Sequence, residues 1–388
     1  MMRCLAITFI TFLLTSWSVY GQVNAETRIQ TGELSLRIKN INFVKNNEYF
    51  NPIGASKFIL ISSIPGFVDK SAWIEGHTLL GYFFQPELVY SPSGKVTLRA
   101  GTHLLKYSGT KKFSQVRPVF STTLNLSEKT SLTIGSLTGS DKHRLFDPHF
   151  DRERLYYAYA EDGFQLTSAN DHLFSDTWLS WEKFIFKADS TREVFTFGES
   201  FKYTPSPVAD FLRFEIPVQV QFKHFGGQIS NYPEHVETYF NLATGLRINI
   251  DLAQKKYGQA GIEYLQFINN VLPGRPSSAI SNGNASWLRL HYTYKALYIG
   301  AAYWRAHNFY APNGNAIYAS VIDLNSNYVV PERRIITNFV YLTLLPESYL
   351  ELFLGLETYY DVCLKRMDNA ITLHLNFDKL IKLATLKH

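Results

Sequence analysis

The chain lacks several features that define common protein classes. It has only two cysteines in 388 residues, and Cys4 lies in a predicted signal segment, so Cys363 is left without an intrachain disulfide partner. Charged residues make up only 18% of the chain and no Lys/Arg run exceeds two residues, which gives no nucleic-acid-binding footprint. Beyond the N-terminal segment no run of about 18 apolar residues occurs, so the sequence predicts no membrane-spanning helix.

The N-terminal residues have the pattern of a secretory signal. Arg3 supplies a positive charge, residues 5–14 are apolar, and Val23-Asn24-Ala25 offers a cleavage site with small residues. We therefore predict a cleaved signal peptide at 1–25 and one mature domain at 26–388. An exported protein without a spanning helix is either a soluble β protein or an outer-membrane barrel.

What the chain does have is aromatic residues, at 15%, and a side-chain period of two. In the segment 212–223 apolar and polar residues alternate strictly, as in a strand with one apolar and one polar face. The same alternation recurs at 95–107, 236–251, 287–295, 350–359 and 371–377. The chain is therefore predicted to be all-β.

Tight turns and long connections alternate between these segments. This predicts sixteen strands, with short periplasmic turns and longer external loops, including the loop 139–152. The predicted strands start near Leu34, His77, Lys95, Phe113, Lys129, Arg154, His172, Arg192, Ala209, Val236, Tyr257, Ala285, Leu297, Arg333, Tyr349 and Asn369. The predicted fold class is a single antiparallel up-and-down transmembrane β-barrel with a water-filled or loop-plugged lumen.

A soluble β-sandwich would also show alternating strands. Two features favour the barrel: the polar faces combine Arg, Glu, Gln and Asn with Gly, and aromatic residues crowd the strand ends, as at Tyr82-Phe83-Phe84 and Tyr359-Tyr360.

With its signal segment, alternating strands and near-terminal strand Ile371-Thr372-Leu373-His374-Leu375-Asn376-Phe377, the chain resembles the outer-membrane β-barrel porin-like proteins of Gram-negative bacteria. The resemblance covers nearly all of the mature chain and implies an outer-membrane location. It departs from the pattern at the C-terminus, where Phe377 is followed by eleven more residues instead of ending the chain.

Charged residues on the polar faces are the candidate pore lining. Opposed cations and anions across a lumen would create a transverse field that orients permeating solutes; the alternative is that they pair with one another and stiffen the wall. The predicted pore-lining residues are Arg99, Arg213, Glu215, Glu237, Arg247, Arg289, Glu351 and Glu357.

The segment 140–151 contains three Asp and two His residues. Carboxylates and imidazoles together could hold a divalent cation, but the spacing matches no metal signature, and the alternative is a solvated or lumen-folded loop. Histidines such as His143, His149 and His172 would allow a hydrolase site at the rim, yet no G-x-S-x-G motif accompanies them.

The functional prediction is a porin-like channel for passive diffusion or uptake of small polar solutes, not an enzyme, with no catalytic, metal or cofactor site. The alternatives are a non-conducting barrel that acts as a structural or surface-interaction protein and, third, a rim-site hydrolase. The expected partners are outer-membrane lipid, small polar solutes and the barrel assembly machinery, with a possible homo-oligomer and no nucleic acid.

Overall fold

The computed structural model describes residues 30–49, 76–207, 209–227, 229, 231–233, 235–253, 255–272, 279–322, 325–347 and 349–386. The predicted signal peptide lies outside these ranges. Among the described residues no helix is long and apolar enough to cross a bilayer.

Sixteen strands within the described ranges form one closed antiparallel barrel in which each strand pairs with its neighbours along the chain. A small hairpin, β14–β15, lies outside the barrel sheet. The strands are β1 Glu33–Tyr49, β2 His77–Ser93, β3 Val96–Tyr107, β4 Gln115–Asn125, β5 Thr130–Ser136, β6 Asp162–Ala169, β7 Leu173–Lys183, β8 Glu193–Tyr203, β9 Leu212–Gly226, β10 Glu237–Asp251, β11 Gln259–Leu272, β12 Asn282–Tyr294, β13 Leu297–His307, β14 Val321–Ile322, β15 Asn325–Val329, β16 Glu332–Glu347, β17 Leu350–Asp361 and β18 Arg366–Thr385.

The predicted fold class and strand number are confirmed, and most predicted starts lie within a few residues of the observed ones. The strand predicted to start at Arg154 is wrong. That position opens a one-turn helix, α1 (Arg154–Tyr157), and the strand begins at Asp162. The aromatic side chains of this stretch, which mimic a strand pattern, are instead divided between the barrel interior and the surface.

The two faces of the wall follow the period of two. In β9, Ile216 is 39% exposed on the outside, whereas Gln219 is buried on the inside. An apolar outer surface on a closed barrel has no stable place in water and matches the lipid-facing band of outer-membrane barrels. The protein is therefore an outer-membrane barrel.

Ile216→Arg is expected to destabilise the barrel by about 2–4 kcal/mol if the residue lies near the bilayer midplane, because an arginine there must leave water. The measurement is urea unfolding in lipid vesicles, followed by heat-modifiable migration on gels. Leu126→Arg, at an exposed turn, is the control and should cost about 1 kcal/mol or less. Equal costs at both positions would place Ile216 away from lipid.

The C-terminal residues close the barrel. Strand β18 continues past Phe377 to Thr385. It pairs with β1 from one end of β1 to the other, from Glu33↔Thr385 to Tyr49↔Asp368. The Arg37 guanidinium donates to the Asp378 carboxylate at 2.8 and 2.9 Å across this seam. The residues after the expected terminal aromatic are thus part of the last strand.

Two connections fold back into the lumen, and we call them the plug, defined as residues 137–161 and 308–320. They include two 3-10 helices, Ser140–His143 and Ala316–Tyr318. The two parts join where Asp151 N donates to Asn313 O at 2.7 Å and Asn315 N donates to Asp147 O at 2.9 Å. The loop 139–152, expected outside, therefore lies inside the barrel.

The plug is held by apolar and polar contacts to the wall. Phe146 and Phe309 pack on Phe267, with ring centroids 6.2 and 5.9 Å apart, and burial of each such ring contributes roughly 1.5–3 kcal/mol. Gln219 accepts from Phe146 N at 2.9 Å and donates to Arg144 O at 3.1 Å. Gln219, on the lumen face of β9, thus anchors the plug to the wall.

Candidate active site in the barrel lumen

The predicted pore-lining residues lie on the strands, and most pair with neighbours. Arg247 donates to Glu215 at 2.8 Å and to Glu263 at 2.8 Å, and Arg289 donates to the same Glu263 at 2.8 Å. The other pairs are Arg213 with Asp251, Arg192 with Glu237, Arg99 with Ser121 and the carbonyls of Ser136 and Leu137, and Arg152 and Lys45 with Glu357. Glu351 is half-buried. Their role as a pore lining stays a prediction.

A cavity of about 450 Å³ lies between the plug and the wall. Its lining is strongly charged and comes from both the plug and the wall, with Asp147, Asp151 and Glu153 from the plug facing Lys45 and Glu357 from the wall. This volume lies within the range of small-molecule binding pockets, about 300–1,000 Å³.

Local hydrogen bonds fix Asp151 at the start of α1. Its carboxylate accepts from Glu153 N at 2.9 Å and from the Tyr157 hydroxyl at 3.1 Å, and its carbonyl accepts from Arg154 N at 3.2 Å. An aspartate before a helical turn commonly satisfies the free amides there. The turn therefore holds this carboxylate in one position on the cavity wall.

The two neighbouring carboxylates are held differently. Asp147 accepts from Asn315 Nδ2 and Arg152 N, both at 3.1 Å. Glu153 accepts from Asn47 Nδ2 at 2.7 Å, lies 3.1 Å from His77 Nε2, and has the Lys45 ammonium at 3.7 Å. Glu153 thus has cationic partners that Asp151 lacks.

The surroundings of Asp151 and Glu153 shift their pKa values in opposite directions. Burial, together with the Glu153 and Asp147 carboxylates, raises the pKa of Asp151 to about 7. Burial acts the same way on Glu153, but His77 and Lys45 override it and lower the pKa of that carboxyl. A pair of groups separated in this way can divide acid and base roles, and a pKa near 7 suits proton transfer at neutral pH.

His143 ties the plug to the wall. It is fully buried, lies 2.8 Å from Glu161 and 2.9 Å from Asp176, and stacks on Trp178 at 3.8 Å. Burial opposes its protonation, but the two carboxylates prevail and raise the pKa of His143 to about 9. An imidazolium with both N–H groups engaged serves as a structural cation and has no free nitrogen for catalysis.

His149 is also fully enclosed. Burial lowers the pKa of His149 to about 4, so it is neutral, and its ring meets Phe267 edge-on at 6.2 Å. Neither histidine of the segment 140–151 makes a hydrogen bond to Asp147 or Asp151. Within the described ranges no group of three His, Cys, Asp or Glu side chains has the arrangement of a metal site.

The fold and the lumen together define an outer-membrane barrel whose interior is filled by its own loops around a charged cavity. The family model for Lipid A 3'-O-deacylase-type proteins matches residues 25–386. The chain belongs to this family. The expectation that the protein is not an enzyme is therefore wrong, because the family is an enzyme family.

Among curated proteins none matches this chain. Among solved structures it is similar to OmpT of Vibrio cholerae with loop L8 deleted, at 10% identity over 89% of this chain and 99% of that chain, with a TM-score of 0.49. It is also similar to OprD of Pseudomonas aeruginosa, at 11% identity over 93% of this chain and 98% of that chain, with a TM-score of 0.48. The similarity to OccAB3 of Acinetobacter baumannii is 11% identity over 90% of this chain and 99% of that chain, with a TM-score of 0.46.

Sequence reasoning misses most of this site. It singles out the segment that contains Asp147 and Asp151 but finds no pattern to separate them from an ordinary polar loop, and it offers no signal for Glu153, Tyr157 or His77. The lack of a serine motif does not exclude hydrolysis, because a carboxylate base can activate water directly.

Proposed function

We propose that this protein is an outer-membrane hydrolase that removes an ester-linked acyl chain from a glycolipid of the lipid A class, with Asp151 as general base. The observation that carries the proposal is the family match across the whole described barrel. The position and pKa of Asp151 support the choice of base.

The reaction follows from the Asp151 carboxylate. It takes a proton from a water molecule, whose oxygen attacks the ester carbonyl carbon. The bond from that carbon to the sugar oxygen then breaks, and the proton held by Asp151 passes to the departing sugar oxygen. The products are a free fatty acid and a sugar hydroxyl, with no other reactant consumed.

The cations around the cavity suit this chemistry. Arg152 and Lys45 line it beside the acidic residues, and both reach the Glu357 carboxylate, at 2.5 and 3.5 Å. A cation held in place can stabilise the negative charge that develops on the ester oxygen. Lipid A also carries phosphates, which a guanidinium can bind through two parallel hydrogen bonds.

The test is hydrolysis by the purified, folded barrel in detergent micelles with lipid A as substrate. Mass spectrometry is expected to show the loss of one acyl chain and the release of one fatty acid. Heat-unfolded protein at the same concentration is the control. Lipid A that stays intact over a long incubation with folded protein would contradict the proposal.

The channel for small polar solutes stays a prediction. The plug occupies part of the lumen, and the family match favours the enzyme. The conductance measurement described in the Discussion addresses this alternative.

A further inference from the structure

The barrel wall is incomplete next to the plug. Strands β5 and β6 have only seven and eight residues, and β5 pairs with β4 only over Ser121–Asn125. Residues 115–120 of β4, about 20 Å of strand, have no β5 partner. On the far side, β7 extends through Trp181–Lys183 beyond its last β6 partner. We call this opening the notch; three strand spacings make it about 14 Å wide.

Two glycines explain why the wall stops there. Gly135 and Gly163 face each other at the top of the β5–β6 hairpin, where it turns into the lumen. A Cβ on Gly135, whose φ is +101°, would lie 2.2 Å from Phe120 O, and one on Gly163 would lie 1.9 Å from Leu179 O. Only glycine fits such a bend beside the neighbouring strands.

The free edge of β4 carries features of an edge strand. Phe120 N donates to Ser136 Oγ, on the β5 side of β4. Alternate residues of a strand direct their N–H groups to the same side, so the backbone nitrogens of residues 116, 118 and 120 all face the notch. Pro118 occupies the next such position and has no N–H to leave unpaired, a common solution at an open edge. Gln115 and Arg117 donate to the plug carbonyls of Tyr157 and Ala160, both at 2.7 Å, and Arg117 also pairs with Asp162 at the start of β6.

Apolar side chains concentrate around the notch. Among the described residues, the four most exposed large hydrophobic side chains are Phe186, Phe120, Val116 and Phe184, at 72, 67, 64 and 62%. Val116 and Phe120 lie on the β4 side, and Phe184 and Phe186 follow β7 on the other. Val116 and Phe120 lie on the wall, and exposed apolar side chains on the wall of an outer-membrane barrel are expected to contact acyl chains.

Lysines flank both sides of the opening. Lys111 and Lys112 lie in the β3–β4 turn, and Lys183 and Lys187 lie at and just beyond the end of β7; all four are exposed. The acidic residue nearest in sequence to Lys187, Asp189, accepts from Phe186 N at 2.8 Å. Cations beside an apolar surface match a lipid with an anionic head group.

The notch leads toward the candidate site. Tyr157 is the last residue of α1 and is 39% exposed. Its carbonyl accepts from Gln115 of β4, and its hydroxyl donates to Asp151. Its neighbour Leu155 lines the cavity. A chain that passes Tyr157 therefore reaches the carboxylate without crossing the plug from above.

We propose that the notch is a lateral portal through which an acyl chain of an anionic outer-leaflet lipid enters the lumen cavity, with its head group on the four lysines. This deepens the proposed function and rests on it only for the fate of the chain, because lipid entry needs no hydrolysis.

The test is photo-crosslinking of the full barrel in phosphatidylethanolamine vesicles that contain either lipopolysaccharide or phosphatidylglycerol. A benzophenone amino acid replaces Phe120 at the notch, Leu155 in the cavity, or Leu290 on the outer wall. We expect lipid adducts at all three sites. Only Phe120 and Leu155 should favour the anionic lipid. Changing the four lysines to Gln should lower that anionic adduct by at least about tenfold, since lysines act together at an anionic lipid surface.

An absence of lipid adducts at Leu155, with adducts at Phe120 matching those at Leu290, would overturn the portal and make the notch ordinary lipid-facing surface. Undiminished anionic adducts in the lysine variant would overturn the head-group assignment. Both readouts are independent of catalysis, so a barrel that hydrolyses nothing can still show a portal, and an active barrel can still lack one.

Discussion

Asp151→Asn is expected to lower acyl-ester hydrolysis by about 10²–10⁴-fold, the usual contribution of a positioned general base. Asparagine has nearly the same shape. Its single oxygen can accept from Glu153 N, which lies 2.9 Å from one aspartate oxygen, and its amide can donate to the Tyr157 hydroxyl oxygen, which lies 3.1 Å from the other. The barrel and plug should therefore stay folded, as checked by heat-modifiable migration. The measurement is the initial rate of fatty-acid release from lipid A.

Asp378→Asn is the matched control. It makes the same chemical change in the carboxylate that pairs with Arg37 on the closing strands. Neither residue lines the cavity, so the hydrolysis rate should stay within about twofold of the parent. Asp151→Asn with the rate of the parent protein would remove Asp151 from the base role.

The pH profile gives the same test in the unmodified protein. A base works only when deprotonated, and the pKa of Asp151 is raised to about 7. The rate should therefore be low at pH 5, reach half its maximum near pH 7 and level off above. A flat profile between pH 5 and 8 would show that another group carries the reaction.

His143→Ala is expected to release the plug and turn a closed barrel into a conducting one. The change leaves Glu161 and Asp176, which are only 4 and 1% exposed, without their shared cation. Breaking a buried ion pair in this way costs about 3–5 kcal/mol. The sixteen-strand wall does not depend on this contact, and an unplugged barrel of that size leaves an aqueous channel.

The measurement is single-channel current in planar bilayers. The parent protein should give small or no steps, and His143→Ala large ones. The control is His172→Ala at an exposed turn, where the ring lies 3.0 Å from Thr204 O; it should behave like the parent. Large steps from the parent itself would favour the channel function, and a silent His143→Ala would show that other contacts hold the plug.

Raising the pH should have the same effect as the mutation. Because the pKa of His143 rises from 6.5 to about 9 on folding, its contribution to plug stability is complete below about pH 6.5 and is lost as the pH passes 9. Conductance of the parent protein should therefore increase above pH 9 and fall again when the pH is restored. A current that does not change up to pH 10 would contradict this role for His143.

The sequence by itself determined the wall. A strand with lipid on one side and a polar interior on the other must alternate, so the pattern of β9 alone is enough to place Ile216 outside and Gln219 inside. Turn residues precede most of the sixteen strands and so indicate where each strand begins. The exception at Arg154 arises because alternating aromatic side chains indicate a strand whether or not a sheet is there to receive it.

The tertiary structure decided the interior. Whether a polar loop stays in water or folds into a lumen depends on contacts between distant residues, such as Asp147 with Asn315 or Arg152 with Glu357, and no local pattern encodes them. The pKa of Asp151 depends on burial and on two neighbouring carboxylates, which are properties of the enclosed cavity. The sequence therefore specified a barrel, because period and turns are local, while the plug, the notch and the candidate site required the fold, because each is made by parts of the chain that meet only in space.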